Sequence, residues 1–385
     1  MRPSVVTSAV VATLVGFAGT LAIVISAAKA VGAGPAETSS WVTGLCLAMA
    51  GSSVVLSWRH RIPAITAWST PGAALIAATA GTIAFDAAVG AFVLAALLVL
   101  ATAAVRPLAD LVARIPPSLA SAMLAGILVQ FAVAVFQMAG AEPAFVLPLV
   151  ALFLVARVLL PSMAPIAVLA GGVALGAATG RIGDVGGALA VSDLMLVTPA
   201  FDPAVLIGLG VPLWLVTMAS QNLPGFTVLR AAGYPVPARS ILTVTGLASL
   251  LTAPFGAHTS NLAAISAAIC TGPDTHPDPA KRWPAGVAYG LCYLLLAPFG
   301  ASFAALFAAL PGPLVATVAG TALMSPLAGA LGGAMAEPKD RFAAVVTFAV
   351  TASGLGLLGI GAAFWGLVAG LATLGLERAA AARRG

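Results

Sequence analysis

The chain has 385 residues, 61% of them hydrophobic and only 8% charged, with a mean hydropathy of +1.09. That composition excludes a soluble globular domain and specifies a polytopic membrane protein, because a hydrocarbon core of roughly 30 Å takes about 20 apolar residues per helix. The formal charge of +5 excludes little by itself, since in a membrane protein the placement of charge matters more than its sum, and nothing supports a nucleic-acid partner.

The first apolar run, 4–28, is long enough to span and more spans follow, so it reads as a retained helix rather than a signal peptide. Further segments are expected at 39–58, 62–80, 86–105, 116–140, 143–160 and 162–180. A polar linker, 181–202, carries Asp184, Asp193 and Asp202. After it come 203–222, 237–252, 253–271, 284–304, 311–334, 341–357 and 359–376. The expected fold class is therefore all-α, with 14 transmembrane segments in halves of seven, 1–180 and 203–376. With the N-terminus in the cytoplasm, all but two of the 17 Lys and Arg residues fall on the inner side, among them Arg106, Arg114, Arg383 and Arg384. The exceptions are Lys29 and Arg181. One missed or invented span would reverse every later loop, so this asymmetry supports the count and places both termini in the cytoplasm.

An odd number of spans per half makes any similarity between the halves an inverted repeat. "KAVGAGP" (29–35) follows the first span as "RAAGYPVP" (230–237) follows the eighth, and "AWSTPGAALIAA" (67–78) aligns without gaps on "AHTSNLAAISAA" (257–268). The paired hydroxyls Ser69/Thr259 and Thr70/Ser260 carry that match better than its alanines. Broken helices at corresponding positions of inverted repeats point to a transporter site near the midplane. Non-helical backbone at membrane depth must be buried in protein or line a cavity, so 62–68 and 253–258 should be extended pieces, each leading into a half-helix. Thr70 is the expected N-cap, with Pro71 at the first helical position, and Ser260 the equivalent cap. Two helix N-termini facing the centre would bind an anion without a buried Lys or Arg.

His258 is the titratable candidate in the interior, able to change charge in the physiological range as a proton-coupled carrier needs. The alternative is a neutral ring bonded to a carbonyl. "MASQNLPGF" (218–226) clusters Ser220, Gln221 and Asn222 before a helix break at Pro224 and Gly225. Their amides could meet a carboxylate or simply join helices. Gln130 and Gln137 read as helix packing, Asp86 as a solvated helix end, and His276 as a solvated loop residue. Trp68 and Phe255 could wall a planar ligand or pack the core. Cys46, Cys270 and Cys292 read as small apolar residues. No metal-ligand, phosphate-loop or catalytic-triad pattern is recognisable, so no cofactor, metal or enzymatic activity is expected.

The segments "IPAITAWSTPGAALI" (62–76), "MASQNLPGFTVLRAAGY" (218–234) and "TAPFGAHTSNLAAISAAICTGP" (252–273) closely resemble the bacterial benzoate:proton symporter family, BenE. The likeness runs along essentially the whole chain. It implies the fold of uracil and xanthine permeases, with segments 3 and 10 part extended and part half-helix. It also implies a core domain (1–105 and 203–304) and a gate domain (116–180 and 311–376). Carried over by position, the resemblance points to Ser69, Thr70, Gln221, Asn222, His258, Thr259 and Ser260 as substrate residues. Trp68 joins them as an aromatic wall and His258 as the proton-coupling residue. Where the nucleobase permeases have acidic residues on segments 8 and 10, this chain has Gln221, Asn222 and His258, which suits an anionic substrate. The expected function is proton-coupled import of benzoate or a similar aromatic carboxylate across a bacterial inner membrane. The expected partners are that carboxylate, protons and the lipid bilayer, with a homodimer left open. Another planar or anionic solute such as a nucleobase, or a passive anion channel, is the alternative.

Overall fold

A computed structural model of the chain describes residues 2–79, 83–105, 115–183, 190–358 and 360–382. Arg106, Arg114, Asp184, Arg383 and Arg384 lie outside the described residues. In chain order the first half contains α1 (Pro3–Ala30), α2 (Pro35–His60), β1 (Thr66–Trp68), α3 (Thr70–Ala77), α4 (Phe85–Ala104), α5 (Pro117–Ala141), α6 (Pro143–Leu159) and α7 (Ala164–Ala178). The second contains α8 (Pro203–Ala231), α9 (Ala238–Thr252), β2 (Ser260–Leu262), α10 (Ile265–Thr271), α11 (Pro284–Leu296), α12 (Gly300–Ala309), α13 (Gly312–Met335), α14 (Arg341–Ala352) and α15 (Ala362–Ala382). Among the described residues eight helices are long and apolar enough to cross a membrane, and α6 and α7 are shorter apolar helices. Proline opens α1, α2, α5, α6, α8 and α11, where its fixed φ suits a first turn and its missing N–H has no helical partner to lose.

The eighth segment departs from the sequence reading. A break was expected at Pro224-Gly225, yet the helix continues to Ala231, 29 residues in all. Proline lacks an N–H and its ring strikes the carbonyl four residues back, here that of Ser220. A π turn at Met218–Asn222 widens the helix just before it and lets it pass; a second lies at Leu206–Gly210.

β1 and β2 form a two-stranded antiparallel ribbon, pairing Thr66 with Leu262, Ala67 with Asn261 and Trp68 with Ser260. Its outer edges must also be bonded, because lipid supplies no partners. On the β1 edge Ser53 Oγ accepts from the Thr66 N–H (3.1 Å), the Ser52 and Ser53 hydroxyls each lie 2.7 Å from Thr66 Oγ1, and the Tyr289 hydroxyl donates to the Thr66 carbonyl (3.0 Å). On the β2 edge Ser249 Oγ accepts from Ser260 N–H (2.8 Å) and Asn222 Oδ1 from Leu262 N–H (3.0 Å). Side chains of α2, α8, α9 and α11 thus replace the missing neighbouring strands.

Both expected caps are corrected. In the first half Ser69, not Thr70, is the N-cap: its hydroxyl accepts from Gly72 N–H at 3.0 Å, and Pro71 is the second helical residue. In the second half the extended piece is not 253–258. Ala253–Phe255 make a 3-10 turn that ends at Gly256 (φ +87°), and the strand follows at 260–262. Ser260 is therefore a strand residue, its hydroxyl buried without a partner, and α10 starts at Ile265 with no side-chain cap. The strands equate Thr66–Trp68 with Ser260–Leu262, four residues away from the gapless sequence match.

α2 packs on α9, α11 and α12, α1 on α3, α10 and α11, and α4 on α9. Separately, α5 packs on α13 and α14, α14 on α15, and α6 on α7. Glycines permit the closest approaches, Gly290 to the Ala50 carbonyl between α11 and α2 and Gly320 to the Phe131 carbonyl between α13 and α5. Small residues at such crossings let backbones touch where lipid removes the hydrophobic drive between helices. Beyond α10, His276 is buried rather than solvated. Its Nδ1 accepts from the Asp278 N–H, and buried Arg282 donates to the carbonyls of His276 (2.6 Å) and Thr271 (2.7 Å), which places a cation at the C-terminal end of α10.

Candidate functional site

Where the ribbon gives way to α3 and α10, a cavity of about 540 Å³ opens. Of the sequence-predicted residues, Trp68, Thr70 and Gln221 line it, together with Ser220. Ser69, Asn222, His258, Thr259 and Ser260 stand behind its wall, all buried.

Each lining group arrives by a local cause. Thr70 is the first residue of α3, and neither its N–H nor its hydroxyl has a partner within the protein, so both are available to a ligand. The Trp68 indole N–H donates to Thr20 Oγ1 (2.9 Å), which fixes the ring edge-on to Phe17 and to Tyr293, the latter also on the cavity wall. Gln221 projects from the π turn, and its Oε1 accepts from Asn261 Nδ2 at 3.4 Å. That bond orients the amide and leaves Nε2 as a two-proton donor.

The residues behind the wall hold the frame. Asn222 donates to the Thr217 carbonyl (3.2 Å) while accepting from the β2 edge. Thr217 and Thr259 share a hydroxyl–hydroxyl bond of 2.7 Å. The Trp41 indole N–H donates to His258 Nδ1 (3.0 Å), so the ring proton sits on Nε2 and goes to the Ser69 carbonyl (3.0 Å). His258 is thus a neutral ring with both nitrogens engaged, holding the residue that caps α3. Phe255 is absent from the wall. Gln130 donates to the carbonyls of Thr351 and Ala352, a helix-packing role, and Asp86 lies exposed in the first turn of α4.

Asn261, Tyr293 and Ser266 were not singled out by sequence reasoning. Asn261 lay inside a quoted motif, between the hydroxyls of Thr259 and Ser260 and the apolar run from Leu262. Its Oδ1 is buried without a partner, and as the cross-strand neighbour of cavity-lining Ala67 it occupies the same face of the ribbon. Tyr293 and Ser266 sit in apolar runs with no local signal. Among the described residues, none of those lining the cavity is Asp, Glu, Lys, Arg or His. Among the described residues no group of three or more His, Cys, Asp or Glu could hold a metal, and the three cysteines are free.

A helical bundle interrupted by a short ribbon whose edges are bonded by helix side chains, with a partly aromatic cavity at the break, defines a multi-pass membrane transporter of small molecules. The chain belongs to the BenE family: the family model described as benzoate membrane transport protein matches residues 1–376. It is 39% identical over 375 residues to the inner membrane protein YdcO of Escherichia coli K12, covering 96% of this chain and 94% of that one. It is 34% identical over 360 residues to a benzoate membrane transport protein of Acinetobacter baylyi, covering 94% and 91%. The transmembrane domain of a cyanobacterial bicarbonate transporter, BicA, shares the fold with a TM-score of 0.60 at 13% identity, covering 96% of this chain and 97% of that one.

Proposed function

We propose that the protein imports benzoate or a similar aromatic carboxylate together with protons. The cavity carries this reading. Its Trp68 and Tyr293 rings suit a planar aromatic body, and Thr70 and Gln221 offer uncharged donors to a carboxylate. Its volume lies within the roughly 300–1,000 Å³ usual for small-molecule sites. No described residue of the lining is acidic, which disfavours a neutral base read by carboxylates, and the benzoate transport relative from Acinetobacter baylyi supports the same choice.

In this reading the chain forms 14 segments in two inverted repeats, with both termini cytoplasmic. The set α1–α4 with α8–α12 is the core domain, and α5–α7 with α13–α15 the gate. The cavity extends past Gly16 and Thr70 to Ile115, Pro117 and Ser121, at the end of α5 that follows the stretch bearing Arg106 and Arg114 in the sequence. Basic loops face the cytoplasm, so this is an inward-facing state. His258 takes its proton in the other half of the cycle, once the Trp41 bond opens, because here a second proton would face the indole N–H.

Uptake of radiolabelled benzoate into proteoliposomes tests the reading. An inward proton gradient should drive accumulation, with competition by other aromatic carboxylates and none by uracil. Gradient-independent flux, or equal competition by uracil, would overturn it.

A further inference from the structure

We propose that the groove between the C-terminal end of α2 and the N-terminal end of α9 is a binding site for the headgroup of an anionic phospholipid, independent of the transport reading. Arg59 from α2 and Arg239 from α9 line this groove with Ser240 and Thr243. Both arginines are exposed, and neither guanidinium has a hydrogen bond or ion pair within the protein. His60 and Ser240, joined at 2.8 Å, tie the two helix ends together and so hold both guanidinium-bearing ends at one spacing. Two unpaired guanidiniums lining one groove repel each other, and a phosphate that accepts from both relieves that repulsion.

Two features select a lipid over a free phosphate. The depth is that of the membrane surface: next to the groove Trp58 and Trp283 meet edge-on with the Arg61 guanidinium over both rings, an interfacial aromatic and cationic arrangement. Toward the membrane interior the groove runs into aliphatic side chains. Val55 and Val244 line it, and Leu247 and Leu251 continue the Val244 face of α9 at helical spacing, the two leucines 45% and 69% exposed. An acyl chain lies along such a stripe while its phosphate meets the arginines, the arrangement that basic pockets between helices offer anionic headgroups.

The test is lipid binding by the purified full-length protein in detergent, read by native mass spectrometry and by thermal stabilisation, with phosphatidylglycerol, phosphatidylcholine and inorganic phosphate as probes. Phosphatidylglycerol should bind and stabilise, phosphatidylcholine should not, and millimolar inorganic phosphate should leave the lipid bound. The double variant Arg59→Gln/Arg239→Gln should bind phosphatidylglycerol on the order of thirtyfold more weakly. Arg59→Lys/Arg239→Lys should recover part of that loss, and Arg157→Gln, on an exposed position of α6, should match the parent. Unloaded melting of the glutamine variant at the parent's temperature verifies its fold. Parent-like phosphatidylglycerol binding by the glutamine variant, equal binding of phosphatidylcholine, or displacement by inorganic phosphate would each overturn the proposal.

Discussion

Ser69 and Thr70 are neighbours with separable roles, and replacing each side chain in turn tests the site directly. Ser69 Oγ accepts from the Gly72 N–H, a buried cap at the start of α3, and an alanine there leaves that N–H unpaired. Loss of an N-cap costs about 1 kcal/mol and a buried orphan donor up to about 3, so Ser69→Ala should lose about 2 kcal/mol and a few degrees of melting temperature. Thr70→Val removes a hydroxyl that has no partner in the protein, so the melting temperature should hold. The same hydroxyl lines the cavity, and a hydrogen bond to a charged group contributes about 1.5–3 kcal/mol, which puts the expected loss of benzoate affinity at about tenfold or more. Melting can be followed through buried Cys46 and Cys270, which become reactive to a thiol dye on unfolding, and affinity by equilibrium binding of labelled benzoate. A Thr70→Val variant that melts early yet binds normally, with Ser69→Ala unchanged in stability, would refute the assignment of cap and ligand group.

His258→Gln keeps a donor for the Ser69 carbonyl but cannot become cationic, so it should bind benzoate while losing gradient-driven accumulation; normal accumulation would remove His258 from the proton path. Gly16→Ala adds a methyl that meets Ser266 Oγ and Tyr293 Oη at 3.2 Å, so substituted benzoates should lose competition against benzoate before benzoate itself stops binding. An unchanged competition series would show that the ligand does not reach this wall. On a cysteine-free background, Val191→Cys and Lys281→Cys should react with an impermeant maleimide from opposite faces of the membrane, and labelling from one face would break the proposed topology.

Membrane character, most helix positions and the two non-helical breaks were legible in the sequence because each is a local property. Apolar runs must be about one bilayer long, and a hydroxyl-rich, proline-bearing stretch cannot form a lipid-facing helix. The caps were misplaced because a gapless match in an alanine-rich chain does not register where a strand ends. That point is set by the ribbon's bonds to Ser53, Tyr289, Ser249 and Asn222, of which Tyr289 and Asn222 lie on helices distant in sequence from the strands they bond. The helix break read at Pro224 became a π turn for a related reason: bundle packing and the Asn222 side chain hold the helix on course past a residue that alone would end it. Which polar residues face the cavity was likewise decided only by folding. Gln221 and Asn222 are adjacent and chemically alike, but the π turn directs one to the cavity and the other to the strand edge. Residue type determined what each group could bond, and only the tertiary arrangement determined which bonds the protein itself consumes and which remain open to a substrate.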